Sequence, residues 1–212
     1  MPRQIAILGW GSLLWDHRPQ FDEQHHDWLP DGPGLKLEFS RISHSRFGAL
    51  TLVIDPLHGS VCQVAYALSR RTDPEDAICD LRSREDTTHK NIGHIFGYGC
   101  RYHARDSVSL QAISGWTKAH KIDVAVWTDL ASNFSEICGK AFNVDAAVSY
   151  VFGLNAKGKA KAAEYMRRAP AFVDTPLKRA LQEQPWFPKP ISQSHALSEA
   201  DKPQKEGAQD VR

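Results

Sequence analysis

The alternation of apolar and polar residues predicts several β-strands in the first half of the chain. Residues 5–8 form an apolar run that is too short for a helix and rich in β-branched side chains, which indicates a buried strand. Residues 35–40 alternate and predict a strand with one buried face, and residues 50–54 and 61–68 predict two more. Because their connections are short, these strands predict an antiparallel meander that is able to curl into a small barrel.

Capping residues and apolar spacing predict helices further along the chain. Asp73 or Thr72 caps a helix that ends near residue 85, with Pro74 in its first turn. Further helices are predicted at 143–153, capped by Asn143, at 156–168 and at 175–182. The helix at 156–168 has a basic, solvated face, and its candidates for the packed side are Ala160, Ala163, Tyr165 and Met166.

The remaining segments give less regular patterns. Residues 16–34 are rich in Asp, His, Pro and Gly and predict a long loop. Residues 95–102 and 108–113 predict strands, and residues 122–130 predict a better one that carries Trp127 as a core or cavity residue. From residue 188 the composition turns to Pro, Ser, Gln, Lys and Glu, which predicts a disordered tail at 188–212 after a domain at 1–187.

Together these elements predict a single α+β domain with a small mixed or antiparallel β-barrel and flanking helices. The net charge of +1 gives no argument for a nucleic-acid partner, and no apolar run approaches the about 18 residues of a membrane span. The four cysteines are widely spaced without a C-x-x-C pair, so we expect reduced thiols and a cytoplasmic location. The oligomeric state is not indicated.

The segment after the first strand is the strongest candidate for a functional loop. Gly9, Trp10, Gly11, Ser12 and Leu13 form a strand-to-loop turn whose backbone N–H groups can cradle an anion or an oxyanion. Leu14 stands where a dinucleotide fingerprint or a hydrolase elbow needs glycine, and no Gly-Lys-Ser/Thr phosphate loop is present. A tight turn in a β-protein is the alternative interpretation.

Glu85 is the strongest candidate for a general acid/base. It lies at the predicted C-terminus of the helix that begins at residue 73, where the negative end of the helix dipole raises a carboxyl pKa. A cavity lined by Trp10 or Trp15 would raise that pKa further by desolvation, whereas Arg82 or Arg84 would oppose the shift. The alternative is a solvated acid at a helix end.

Two motifs resemble a known family. Gly9-Trp10-Gly11-Ser12-Leu13, followed by Trp15, resembles the (F/G)-Y-G-S-L-x-W signature of the γ-glutamylcyclotransferase-like superfamily, closest to its ChaC-type branch. Leu81-Arg82-Ser83-Arg84-Glu85 is similar to the family's L-x-x-R-E motif, which assigns the catalytic acid/base to Glu85. The resemblance implies cyclisation of a γ-glutamyl small molecule to 5-oxoproline, with release of an amine, amino acid or dipeptide and without a metal or organic cofactor.

The chain also departs from the family pattern. Trp10 replaces the family's tyrosine before Gly-Ser, and residues 86–93 lack the tyrosine that usually follows the glutamate; Tyr98, His89 or His94 are candidate substitutes. Two alternatives therefore stay open: a non-catalytic binding or regulatory protein on the same fold, and a hydrolase or amidotransferase that uses water in the same pocket.

Histidine and cysteine spacings give only a weak indication of metal binding. His25 and His26 are adjacent on a polar segment, where solvated histidines are the usual case. A second group has loosely zinc-like spacing without a tight Cys-x-x-Cys frame: His89, His94, Cys100 and His103. We therefore expect no metal site.

Overall fold

The computed structural model describes residues 3–187 of the 212-residue chain, which form a single α+β domain. The tail predicted at 188–212 lies outside the described residues. The strands are β1 (Ile5–Gly9), β2 (Gly34–Ile42), β3 (Leu50–Ile54), β4 (Ser60–Gln63), β5 (Ala65–Leu68), β6 (Ile92–Phe96), β7 (Arg101–His103) and β8 (Val124–Thr128). The α-helices are α1 (Pro19–Asp22), α2 (Pro74–Arg84), α3 (Ser107–His120), α4 (Phe134–Cys138), α5 (Val144–Gly153), α6 (Ala156–Arg168) and α7 (Pro176–Gln182).

The larger sheet is organised around β1. Its strand order is β5-β1-β8-β6-β7, and all five residues of β1 are buried, as its apolar sequence predicts. β1 pairs antiparallel with β5 and parallel with β8, which follows it by more than a hundred residues. The parallel pair places the carboxyl ends of β1 and β8 side by side at one edge of the sheet.

The smaller sheet corrects the predicted meander. Its order is β3-β2-β4, so β2 lies between two strands that follow it in the chain. The strand predicted at 61–68 is divided at the buried Val64, whose N–H bonds to Pro33, and β5 continues in the other sheet beside β1. No closed barrel is found within residues 3–187, so the barrel stays a prediction.

Two apolar layers cover the two faces of β1. Ile5 and Ile7 pack with residues of α2 that include Ile78 and Leu81. The alternate residues of β1, with Leu8 among them, join a larger core formed with the smaller sheet and the C-terminal helices. The period of two along a strand therefore places α1 and α2 on one face of the larger sheet and α3 to α7 on the other.

The strand predicted at 108–113 is wrong, because this segment lies in α3. The Asp106 side chain accepts a hydrogen bond from Ser109 N at 2.7 Å and caps the helix. The buried residues Ser109, Ile113 and Trp116 recur at a spacing of three and four, which is the helical period. β-Branched residues at 108 and 113 suggested a strand, but the cap and the spacing determine the helix.

Two other predicted segments differ in detail. The strand predicted at 95–102 is a hairpin, in which β6 and β7 are joined by a 3₁₀ turn at Gly97–Gly99 whose two glycines have positive φ. The loop predicted at 16–34 contains the single helical turn α1.

The strand prediction at 122–130 is confirmed by β8, and the four predicted helices are confirmed by α2, α5, α6 and α7. In α6 the expected packing of Ala160 is wrong, since that residue is exposed.

The predicted polar face of β2 is also buried, which corrects the expectation of one solvated face. Glu38 and Ser40 are inaccessible to solvent. Glu38 accepts hydrogen bonds from Phe39 N at 2.7 Å and from Leu177 N at 3.3 Å, so it satisfies the first turn of α7. Burial raises the pKa of the Glu38 carboxyl.

Within residues 3–187, no helix has the length and apolar character that crossing a bilayer requires.

Candidate active site

A cavity of about 700 Å³ opens where the carboxyl ends of β1 and β8 meet the end of α2. This volume is typical of a small-molecule site. The turn after β2, a 3₁₀ turn at His44–Arg46, forms another wall. The ionisable side chains that line the cavity are Asp16, Arg18, Arg41, His44, Arg46, Arg84, Glu85, Asp86 and Tyr165.

The glycine-containing loop after β1 supplies one wall of this cavity. Trp10, Ser12 and Leu13 line it, whereas Gly9 and Gly11 shape the loop behind them. Gly11 has φ 59°, in the left-handed region, and a Cβ there would overlap the Tyr165 hydroxyl. A Cβ at Gly9 would overlap the Trp28 ring. Both glycines are therefore required by close packing around the 3₁₀ turn at Gly11–Leu14.

Helix α2 carries Glu85 to the opposite wall. Ile78 and Leu81 bury one face of the helix, and Glu85 follows Leu81 by four residues, so it lies on the same face at the C-cap. The side chain of Glu85 is only 18% exposed, and burial raises the pKa of its carboxyl. The guanidinium groups of Arg84 and Arg46 act against this shift.

Arg84 ties the two motifs together. Its Nη2 donates hydrogen bonds to Ser12 O at 3.3 Å and to Asp16 O at 2.8 Å, so the end of α2 is bonded to the loop and to the residues that follow it. Its Nη1 lies 3.7 Å from Glu85 Oε1, and the side chain is 5% exposed. Residues 68 and 72 positions apart in the sequence therefore form one unit around the cavity.

Tyr165 is a site residue that the sequence alone placed only on the packed side of a helix. It projects from α6, is 4% exposed and accepts a hydrogen bond from Ser12 N at 3.4 Å. Burial raises the pKa of its hydroxyl. The Tyr165 phenol lines the cavity together with the loop residue Trp10, whose indole has no hydroxyl group. The sequence signal for Tyr165 was its place on the predicted packed side of the helix at 156–168.

The other aromatic candidates lie behind the cavity walls. Trp15 does not line the cavity but packs edge-on against Tyr165, with ring centroids 5.7 Å apart. The guanidiniums of Arg46 and Arg168 both lie over the Trp15 ring. Trp127 is fully buried in the core and packs over Gly93. Trp15 supports the site, and Trp127 is a core residue.

The histidine and cysteine candidates lie elsewhere. His94 and His103 are cross-strand neighbours on β6 and β7, with ring centroids 5.8 Å apart, and His25 Nδ1 contacts His26 O at 2.6 Å. Neither His89 nor His94 reaches the cavity wall as a substitute for a missing tyrosine. In the part of the chain from residue 3 to 187, no three His, Cys, Asp or Glu residues are grouped as metal ligands.

The arrangement combines a shielded carboxyl with raised pKa, a tightly turned backbone loop, a phenol and several guanidinium groups. A carboxyl whose pKa is raised by burial is better suited to hold and return a proton than a solvated one. The loop, the phenol and the guanidiniums can bind carboxylates or a developing oxyanion. These are the requirements of acyl chemistry on a small anionic molecule.

Comparisons with known proteins add no relative. A scan against models of protein families finds no match, and a search of curated proteins finds no significant relative. The resemblance to the γ-glutamylcyclotransferase-like superfamily therefore rests on the two motifs quoted above.

Proposed function

We propose that this protein is a γ-glutamylcyclotransferase that converts a γ-glutamyl compound to 5-oxoproline. One observation carries the proposal: Glu85, in the L-x-x-R-E motif, lies in the same cavity as the Gly9–Leu13 loop, and burial raises its pKa. A solvated helix-end acid, the alternative interpretation of Glu85, has neither property.

The proposed reaction is an intramolecular transfer of the γ-acyl group. The α-amine of the glutamyl unit attacks its own γ-carbonyl carbon, which forms the ring C–N bond, and the bond to the leaving nitrogen then breaks. Glu85 takes a proton from the amine and delivers it to the leaving nitrogen, so no water or cofactor is consumed. The enzyme's main task is to hold the substrate in the folded conformation that brings amine and carbonyl together.

The loop and Tyr165 have supporting roles in this proposal. Trp10, Ser12 and Leu13 form the wall that receives the glutamyl unit, and Gly9 and Gly11 give the loop the close packing that this wall needs. Tyr165 fixes the loop through Ser12 N and places a phenol where a negative oxygen develops. In this proposal the Tyr165 phenol of α6 supplies the hydroxyl group that the family's tyrosine carries and that Trp10 lacks.

The finer structural and cellular expectations belong to the same proposal. The resemblance implies a barrel, and two isolated bridges, His25 to Ser69 and Leu29 to Tyr66, extend the pairing of β5 beyond the larger sheet. The substrate is a γ-glutamyl small molecule, and the proposed location is the cytoplasm, which suits the four free cysteines.

The test is to incubate the purified protein with γ-glutamyl amino acids, γ-glutamyl amines and glutathione, and to measure 5-oxoproline by mass. We expect product from at least one compound and a loss of about 10²–10⁴-fold in kcat for Glu85→Gln. Glu75→Gln is the matched control, because Glu75 is an exposed acid on the same helix that pairs with Arg101. A folded wild type that forms no product with any compound, or full activity in Glu85→Gln, would contradict the proposal.

A further inference from the structure

The carboxylate of Asp16 sits among three arginines at the edge of the cavity. Its Oδ2 lies 3.4 Å from Arg18 Nη2, 3.8 Å from Arg46 Nη2 and 3.7 Å from Arg84 Nη2. All three distances exceed the about 2.7–2.9 Å of a charge-assisted hydrogen bond. Asp16 is therefore attracted to the cluster but held loosely by it.

Arg46 differs from its two neighbours in the cluster. Arg84 is committed to the backbone of the loop, and Arg18 is 58% exposed. Arg46 is 24% exposed, and its guanidinium stacks over Trp15 at 5.4 Å and over Tyr165 at 5.1 Å. Among residues 3–187 its side chain donates no hydrogen bond that meets normal geometry, and its ion pair with Asp16 is long, at 3.8 Å. The guanidinium of Arg46 therefore lines the cavity with N–H donors that an anion can engage.

The backbone around Arg46 is held firmly. The 3₁₀ turn at His44–Arg46 ends at Phe47, whose φ is 55°, and Gly48 follows with φ 82°. The Tyr150 hydroxyl donates a hydrogen bond to Gly48 O at 2.9 Å and anchors this turn to α5. A guanidinium with a fixed base and two aromatic supports loses little freedom when it binds an anion.

We propose that Arg46 is a specificity-determining residue that pairs with a substrate carboxylate, and that Asp16 occupies this position in the free protein until the substrate displaces it. The inference rests on the proposed function for the identity of the substrate. A γ-glutamyl amino acid offers two carboxylates of the same chemistry: the α-carboxylate of the glutamyl unit and that of the leaving amino acid. A γ-glutamyl amide whose leaving amine has no carboxylate offers only the α-carboxylate.

Two substrates and four variants test this assignment. The substrates are γ-glutamylalanine and γ-glutamyl isopropylamide, in which a methyl group replaces the alanine carboxylate. The variants are Arg46→Gln, Arg46→Lys, Asp16→Asn and the control Arg101→Gln. Arg101 also stacks on an aromatic ring, Phe96, and pairs with an acid, but does not line the cavity.

We expect Arg46→Gln to raise KM by roughly 10–100-fold for at least one substrate, with partial recovery in Arg46→Lys. Asp16→Asn should lower KM, because the internal competitor is neutralised, and Arg101→Gln should match the wild type. An equal loss for both substrates assigns Arg46 to the α-carboxylate, and a loss confined to γ-glutamylalanine assigns it to the leaving group. Unchanged KM for both substrates in Arg46→Gln, or a higher KM in Asp16→Asn, would overturn the proposal.

Calorimetry in the Glu85→Gln background separates this inference from the proposed function. One outcome is that both compounds bind, that Arg46→Gln weakens their binding, and that the wild type forms no 5-oxoproline. In that case the anion site stands and the cyclotransferase proposal fails. If 5-oxoproline forms and Arg46→Gln changes neither KM nor affinity, the cyclotransferase stands and the anion site fails. Absence of both binding and product overturns both.

Discussion

The buried carboxyl of Glu85 lowers the free energy of unfolding of the protein at neutral pH. Burial raises its pKa, so the folded state holds the proton more tightly than the unfolded state does. Below the ordinary pKa of a glutamate both states are protonated and no stability is lost. As the pH rises through the ordinary value toward the raised one, the unfolded state ionises first and the free energy of unfolding falls.

Glu85→Gln should therefore raise the melting temperature at pH 7 and leave it almost unchanged at pH 4. The expected gain is about 2–4 °C for each kcal/mol of relieved ionisation cost in a chain of this size. Thermal unfolding by circular dichroism at both pH values measures it, with Glu75→Gln as the exposed control. A lower melting temperature for Glu85→Gln at pH 7 would show that its ion pairs outweigh its burial.

At the scale of elements, the packing of β6 against β8 depends on one missing side chain. Gly93 lies opposite Trp127 in the register, and a Cβ at Gly93 would overlap the indole ring. Gly93→Ala should therefore lower the free energy of unfolding by about 1–3 kcal/mol, the usual range for overpacking a core. Urea titration gives the value, and Gly115→Ala is the control because a Cβ at Gly115 meets open space. An equal effect of the two substitutions would contradict this account.

Elements whose signals are local could be predicted, and elements set by distant partners could not. α6 was predicted with its correct limits, and α2 begins at the predicted cap, because Asp73 bonds to Glu75 N within one turn. The division of 61–68 into β4 and β5 depends on the pairing of β5 with β1, which no local pattern shows. The helix α3 was missed because its β-branched residues outweighed its cap and spacing.

The same distinction applies to the candidate site. The loop and Glu85 carry recognisable motifs, so their residues could be named from the sequence, although their functional roles stay predictions. Tyr165 reaches Ser12 across 153 positions, and Arg46 meets Asp16 and Trp15 only through the folding of the β2–β3 turn. Contacts of this length follow from the whole fold and leave no spacing in the sequence.

At the scale of the whole molecule, the large core couples the N-terminal and C-terminal parts of the domain. The cluster extends from Ala6 in β1 to Phe187 beyond α7, and Leu177 in α7 is fully buried within it. Leu177→Ala should cost about 2–5 kcal/mol of unfolding free energy and keep one cooperative transition. Tryptophan fluorescence and circular dichroism should give coincident urea curves. The control is Leu57→Ala, since Leu57 is 86% exposed. Separate transitions for the two probes would indicate that the N-terminal and C-terminal parts of the domain unfold independently.

The parallel pairing of β1 with β8 also has a consequence for biosynthesis. β1 leaves the ribosome first, but residues that close its β8 side, such as Asp123 opposite Gln4, follow 119 positions later. At about 5–20 residues per second, translation needs about 6–24 seconds to deliver them. During that interval an apolar strand edge has no partner, a state in which nascent chains associate with one another. Until residues near 123 have been translated, the edge of β1 that faces β8 in the folded protein is therefore open to pairing with other chains.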